Sequence, residues 1–275
     1  MVTGANSGIG RAMSLALAKM GATLVMVCRD ARKGDEALNA VRTESKNSSV
    51  TLMFADLSSL HSVRNLVEEF KEKYQKLHVL INNAGVYLAK RSVTEDGIER
   101  TFATNHLGPF LLTNLLLPVI KASAPARIIN VSSSAHLRAS MNFDDLEGEK
   151  HYNGFNAYSL SKLENILFTY ELARKLEGSG VTVNCFHPGV VRTNLGRDST
   201  GLLPLFFRAM RAFLLSPEQG AETGVYLATS KEVENVTGKH FAKKRVTKSS
   251  SESYDEDKAR KLWKISEELG ISCQP

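Results

Sequence analysis

Cysteine is scarce: Cys28, Cys185 and Cys273 are the three in 275 residues, and none forms a CxxC pair. That spacing excludes a disulfide framework and a cysteine-built zinc site, so no metal is expected, and it suits a reducing compartment. No run of about 18 apolar residues occurs, so nothing here reads as a membrane span. A secretory signal is also missing, which leaves the sequons at Asn47, Asn130 and Asn235 without consequence. Charge of one sign is not gathered anywhere at length. The 35 Lys and Arg are interspersed with 29 Asp and Glu for a net +6, which speaks against nucleic-acid binding. The one dense basic stretch, Lys239 to Lys248, reads as a solvated surface segment, with contact to a membrane surface or another partner as the alternative. With no repeat, low-complexity linker or break in composition, residues 1–275 read as one domain.

What is present is an alternation. Nearly continuous apolar runs at Ala22 to Cys28, Ser49 to Ala55, Leu77 to Asn83, Ala126 to Ser133 and Gly180 to Phe186 predict strands buried on both faces. Between them, apolar residues three and four apart predict helices, as in Arg11 to Met20 and Ser62 to Tyr74. Strand–helix alternation predicts an α/β fold, a doubly wound parallel sheet of Rossmann type flanked by helices.

The chain opens MVTGANSGIG, with Gly4, Gly8 and Gly10 spaced G-x3-G-x-G. This differs from the common G-x-G-x-x-G fingerprint. Its context, a strand remnant before and a helical pattern after, predicts a phosphate-cradling turn. Small residues let the backbone approach a pyrophosphate while the helix N-terminus faces it with unpaired N–H groups. Only Met1, Val2 and Thr3 precede the turn, so the first strand is expected to be truncated. At the tip of the second predicted strand stands Arg29, where an acid would bind the ribose hydroxyls of NAD. A guanidinium suits a 2′-phosphate instead, so NADP(H) is the expected cofactor, with NAD(H) left open.

Tyr158 and Lys162 lie one helical turn apart in AYSLSKLEN. They follow NVSSSAH (Asn130 to His136) and precede HPGVVRT (His187 to Thr193). With the glycine turn, NNAG (Asn82 to Gly85) and TNHLG (Thr104 to Gly108), this ordered set resembles the short-chain dehydrogenase/reductases over nearly the whole chain. It is most similar to the retinol-dehydrogenase-type members, through LINNAGV, NHLGPFLLTNLLLP, HPGVVRTNL and the tail ARKLWKISEELG. The stretch from Ala135 to Asn156, longer than a simple reductase needs, suits that branch as well.

The resemblance implies Asn105, Ser133, Tyr158 and Lys162 as the catalytic four. Ser133 is preferred to Ser132 and Ser134 as the second serine of Val-Ser-Ser. For the cofactor it implies Gly4, Asn6, Ser7, Gly8, Ile9 and Gly10, with Arg29 at the adenosine phosphate and Asp56 and Leu57 at the adenine. It adds Asn83, Ala84 and Gly85, then Tyr158 and Lys162, and Pro188, Gly189, Val191 and Thr193 towards the nicotinamide. His78, where many relatives carry Asp, departs from the pattern and is expected to bear on packing near the adenine pocket. Some members of this branch carry an N-terminal anchor, which would lie ahead of Met1. The implied location is cytoplasmic or on the cytosolic face of a membrane.

The chemistry agrees with the resemblance. Reduction of a carbonyl needs an acid for the nascent alkoxide and donors that polarise its oxygen. A tyrosine titrates near 10, and the Lys162 cation is expected to bring Tyr158 down by roughly three pH units, about 4 kcal/mol. Ser133 would hold the carbonyl oxygen, and Asn105 would seat a water relaying protons from Lys162. Residues 194–215, rich in Leu and Phe and dotted with Arg208 and Arg211, read as a lid over an apolar aldehyde or ketone or as a helix packed on the body. The implied partner is thus a small apolar carbonyl compound or its alcohol, retinal and retinol included. Membrane-surface contact and a homodimer stay open. A Ser–His hydrolase using Ser133 with His136 or His187 lacks a G-x-S-x-G elbow. A non-catalytic dinucleotide sensor and an inactive truncated form are the remaining alternatives.

Overall fold

The computed structural model describes residues 1–191 and 214–272. Eight strands form one sheet in the order β3-β2-β1-β4-β5-β6-β7-β8. They are β1 (Val2–Thr3), β2 (Leu24–Cys28), β3 (Val50–Phe54), β4 (Val79–Asn82), β5 (Ala126–Val131), β6 (Val181–His187), β7 (Lys239–Ala242) and β8 (Arg245–Val246). All pair in parallel except β8, which folds back on β7. Strand order reverses between β1 and β4, and in such sheets the crevice beyond the carboxyl ends there is where ligands bind. The central β1 is short, as expected: Val2 pairs with Met26 on one side and Ile81 on the other.

The helices among the described residues are α1 (Gly8–Lys19), α2 (Ala31–Ser45), α3 (Leu60–Lys73), the single turn α4 (Arg100–Phe102), α5 (Gly108–Ala122), α6 (Gly154–Lys175), α7 (Pro217–Thr229) and α8 (Glu256–Ser272). Side-chain caps start most of them. Asp30, Ser59 and Asn153 accept the N–H of Lys33, Ser62 and Asn156, and Ser216 with Gln219 closes a reciprocal capping box ahead of Pro217. Two apolar layers sandwich the sheet. One gathers Val63, Leu66, Phe70, Leu112, Leu116, Leu163 and Leu167 from α3, α5 and α6, and the other Met13, Leu17, Val41 and Leu227 from α1, α2 and α7. The strands β2, β4, β5 and β6 are largely buried on both faces, which is why they read as nearly continuous apolar runs, whereas β3 leaves Phe54 exposed.

Two expectations need correction. The basic stretch from Lys239 is an edge hairpin rather than simply a solvated segment. His240 and Phe241 are buried in it while Lys239, Arg245 and Val246 face out. The cations around the two buried residues masked the strand. His78 precedes β4 at the amino end of the parallel sheet, is exposed, and lends only its carbonyl to Arg127. The crevice lies at the opposite end, so His78 does not bear on it.

Candidate active site

The turn between β1 and α1 is shaped by backbone rather than by side chains. Gly4 and Gly8 adopt φ of +63° and +53°, a region that side-chain-bearing residues avoid. A Cβ on Gly10 would stand 2.3 Å from the carbonyl oxygen of Gly4 and 2.4 Å from Asn83 Nδ2. Ser7 caps α1 without a side-chain hydrogen bond, so the helix's first N–H groups point into the crevice unclaimed by its hydroxyl. Asn6, Ser7 and Ile9 are half-buried or exposed on the rim. Thr3 ties the turn to its neighbour: its Oγ1 accepts the N–H groups of Asn83 (3.0 Å) and Ala84 (3.1 Å), while Asn83 Nδ2 donates to Thr3 O (2.8 Å).

At the tip of β2, Asp30 is spent on capping α2, where it accepts Lys33 N–H at 2.9 Å. Arg29 beside it is largely exposed, its Nη1 3.9 Å from Asp56 Oδ2. Asp56 in turn accepts the N–H and hydroxyl of Ser58. Leu57 is buried, and Gly108 passes it so closely that a Cβ there would lie 2.1 Å from its carbonyl oxygen.

On the other side of the crevice the site is made of buried polar side chains. Residues Ala103–Leu107 form a π-helical turn between α4 and α5, and Asn105 sits at its centre. Such widened turns are rare and favour functional positions. Asn105 Oδ1 accepts Val86 N–H at 2.7 Å, and its Nδ2 donates to Val86 O (3.0 Å) and Ser161 Oγ (2.9 Å). Those bonds engage both ends of the amide. The expected water relay therefore gains no direct support from this side chain, which instead locks the segment after β4 onto α6. Ser161 had no signal of its own in the sequence; it passes the link on by donating to Tyr158 O at 2.7 Å.

Lys162 is buried, donates to Val131 O at 3.1 Å, and its Nζ lies 5.6 Å from the centre of the Tyr158 ring. A Cβ on Gly85 would be 3.3 Å from Asn105 Oδ1 and 3.4 Å from Lys162 Nζ, so the Gly85 backbone packs close to both. Burial pulls the Lys162 ammonium down to about 8. Burial also raises the Tyr158 phenol above its ordinary value, against a hydrogen bond to Ser133 that lowers it. The expected acidification of Tyr158 by its lysine is thus corrected: in this state desolvation dominates, because the phenolate would be buried and Lys162 is turned to a backbone carbonyl.

Ser132 is buried and donates to Lys162 O at 2.8 Å, which leaves Ser133 as the serine on Tyr158. His136 bonds the Ser133 carbonyl rather than its hydroxyl, and His187 accepts only backbone N–H groups, so neither activates Ser133 as a hydrolase would require. Pro188, Gly189 and Val191 follow β6. Leu215 returns beside them, donating its N–H to Val190 O at 2.9 Å. Thr193 and residues 194–213 of the expected lid lie outside the described residues. Every other expected residue belongs to the segments at the carboxyl ends of β1 to β6, or to the start of α6 and the π-helical turn beside them.

Comparison with known proteins places this geometry. The short chain dehydrogenase family profile matches residues 1–201. Human retinol dehydrogenase 14 is 47% identical over 283 aligned positions, which cover 97% of this chain and 84% of that protein. Mouse retinol dehydrogenase 12 is 45% identical over 275, covering 100% and 87%. Among solved structures, an uncharacterized protein of Mycobacterium paratuberculosis superposes with a TM-score of 0.79 at 34% identity, covering 98% of this chain and 91% of that one. The Pseudomonas aeruginosa RhlG/NADP active-site complex gives 0.71 at 27% identity, covering 87% and 92%. By sequence and by fold, then, this chain belongs to the short-chain dehydrogenase/reductase superfamily, in its retinol-dehydrogenase branch, and is an NAD(P)-dependent oxidoreductase.

Proposed function

We propose that the chain interconverts an apolar aldehyde or ketone and its alcohol with NADP(H), through Tyr158, Lys162, Ser133 and Asn105. The observation that carries the reading is the grouping of half-buried Ser133 and Tyr158 with the buried Lys162, against which Gly85 packs closely. When bound, the dinucleotide supplies the hydride. The residues that would hold it are the Gly4–Gly10 turn and the α1 N-terminus at the pyrophosphate, Arg29, Asp56 and Leu57 at the adenosine end, and Asn83 to Gly85 with Pro188, Gly189, Val191 and Thr193 along the rest. The tight glycine cradle fits such a group, since any side chain at Gly10 would fill it.

Tyr158 keeps its proton throughout the neutral range, because burial raises it, and so acts as the donor to the substrate oxygen in the reductive direction. Ser133 Oγ donates a second hydrogen bond to that oxygen. Lys162, positive below about 8, stabilises the phenolate left behind, and Asn105 fixes Val86 and the start of α6 around the group. Apolar substrates, retinal-like ones included, are favoured by the similarity to retinol dehydrogenases. A cytosolic-face location accords with the same likeness, and among the described residues no helix is long and apolar enough to cross a membrane.

The test uses purified protein, NADPH and a panel of apolar aldehydes, followed at 340 nm. Tyr158→Phe is expected to cut turnover by about 10²- to 10⁴-fold with NADPH binding retained. A Phe variant as fast as the wild type would overturn the assignment, and NADPH binding without turnover of any aldehyde would favour a dinucleotide sensor.

A further inference from the structure

Three histidines stand behind the Ser133 turn, and the mechanism above uses none of them. His136 lies in the short turn Ser134–Arg138, His187 ends β6, and His240 belongs to β7. The rings of His136 and His240 are 5.2 Å apart. Hydrogen bonds fix the protonation of the first two. His136 Nε2 accepts the backbone N–H of Ser250 at 3.2 Å, and an amide N–H can only donate. The proton of that ring is therefore on Nδ1, which donates to the carbonyl oxygen of Ser133 at 2.5 Å. His187 takes the opposite tautomer, because its Nδ1 accepts the N–H of Ser134 (3.2 Å) and of Gly189 (3.3 Å). Burial lowers both imidazoles, so both are neutral.

The two rings thus grip the same peptide unit from either end, His136 at its C=O and His187 at its N–H. That peptide joins Ser133 to Ser134, and the direction of the Ser133 hydroxyl follows from how it is set. His187's second partner, Gly189, belongs to the loop after β6 that faces the crevice. One lone pair on one nitrogen therefore joins the serine turn to that loop.

We propose that His187, with His136, is a positioning residue: it holds the Ser133 hydroxyl against Tyr158 and couples it to the Pro188–Gly189 loop. The inference rests on the reading of Ser133 and Tyr158 given above. The acceptor at Nδ1, not the imidazole as such, does the holding. His187→Asn keeps an oxygen near that point, His187→Gln moves its amide out to the Nε2 position, and His187→Leu removes the acceptor while filling the volume.

In the full chain, kcat of the Leu and Gln variants is expected to fall by about 10- to 100-fold, since a displacement of order 1 Å at a reacting group has that effect, while Asn recovers most of the loss. Hydrogen exchange at the Ser134 and Gly189 amides, measured without cofactor, should accelerate in Leu and Gln and stay slow in Asn. Equal losses in all three variants, no loss in any, or unchanged exchange in the Leu variant would overturn the inference. Tyr158→Phe run alongside separates the two readings. If it is inactive while His187→Leu matches the wild type, the inference alone fails; if it is fully active, the reading of the site fails.

Discussion

The crevice is built by two different means on its two sides. On the β1–β2 side the surfaces are backbone and exposed charge: positive-φ glycines, the bare α1 N-terminus and Arg29 reaching into solvent. On the β5–α6 side they are buried side chains whose hydrogen bonds close on one another, from Val86 through Asn105 and Ser161 to Tyr158, and from Val131 to Lys162. The first side has almost no side chain to remove and is sensitive to what is added. The second is sensitive to removal, and it carries the shifted protonation equilibria on which the proposed proton transfer rests.

On the first side, adding a single methyl group is expected to have the largest effect. Gly10→Ala places a carbon 2.3 Å from Gly4 O, against backbone that cannot move without reshaping the turn. Overpacking of this kind costs about 1–3 kcal/mol, which as lost binding is about a 5- to 150-fold rise in the NADPH dissociation constant. Fluorescence titration measures it. Affinity unchanged in the Ala variant would break the comparison, since the turn would then not be what holds the phosphates.

On the second side, removal of the buried cation should separate stability from activity. The fall of Lys162 from 10.5 to about 8 corresponds to about 3 kcal/mol. The sign follows from which state prefers the charge. Below about 8 the folded protein bears a desolvated cation that the unfolded chain carries at no such cost. Between about 8 and 10.5 the folded protein sheds it, and the penalty disappears. Lys162→Met should therefore raise Tm at pH 7, by about 2–4 °C for each kcal/mol recovered, and the gain should vanish towards pH 10.5. The same variant should lose reductase activity, and the wild type's activity should decline as pH rises through about 8. A Met variant whose gain over the wild type is no larger at pH 7 than at pH 10 would show that Lys162 is better solvated than its burial implies.

How much of this was legible beforehand divides along the same line. The strands at Leu24, Val50, Val79, Ala126 and Val181 were readable because burial on both faces leaves an unbroken apolar run. The glycine turn was readable because glycine is the favoured residue at positive φ, as at Gly4 and Gly8, and because a Cβ at Gly10 would meet Gly4 O. The buried network was not. Ser161, Thr3 and His187 act through hydrogen bonds that reach partners 53 to 81 residues away, and spacing carries no record of such contacts. The protonation of Tyr158 was misjudged for a related reason: a lysine one helical turn away was visible in the sequence, whereas the burial of both groups depends on the whole fold. β7 and the edge strand β8 were hidden because exposed cations, Lys239, Lys243, Lys244 and Arg245, surround the buried His240 and Phe241.

The smallest of these effects concerns Arg29, and it sharpens what the exposed side contributes. Asp30, the acid nearest the β2 tip, is held at the α2 N-terminus and lies below the usual carboxylate range, chiefly through its bond to Lys33 N–H. On the proposed use of NADP(H), discrimination between NADPH and NADH would fall to Arg29, which is exposed and pairs only loosely with Asp56 at 3.9 Å. An exposed guanidinium is screened by solvent, so its contribution is modest despite the phosphate's full charge. Arg29→Ala should lower kcat/KM for NADPH by about tenfold, the scale of one charge-assisted hydrogen bond, and leave that for NADH nearly unchanged. A variant that loses efficiency with both dinucleotides alike would mean that Arg29 supports the turn itself, and the preference for the phosphorylated form would then have to arise elsewhere on this side of the crevice.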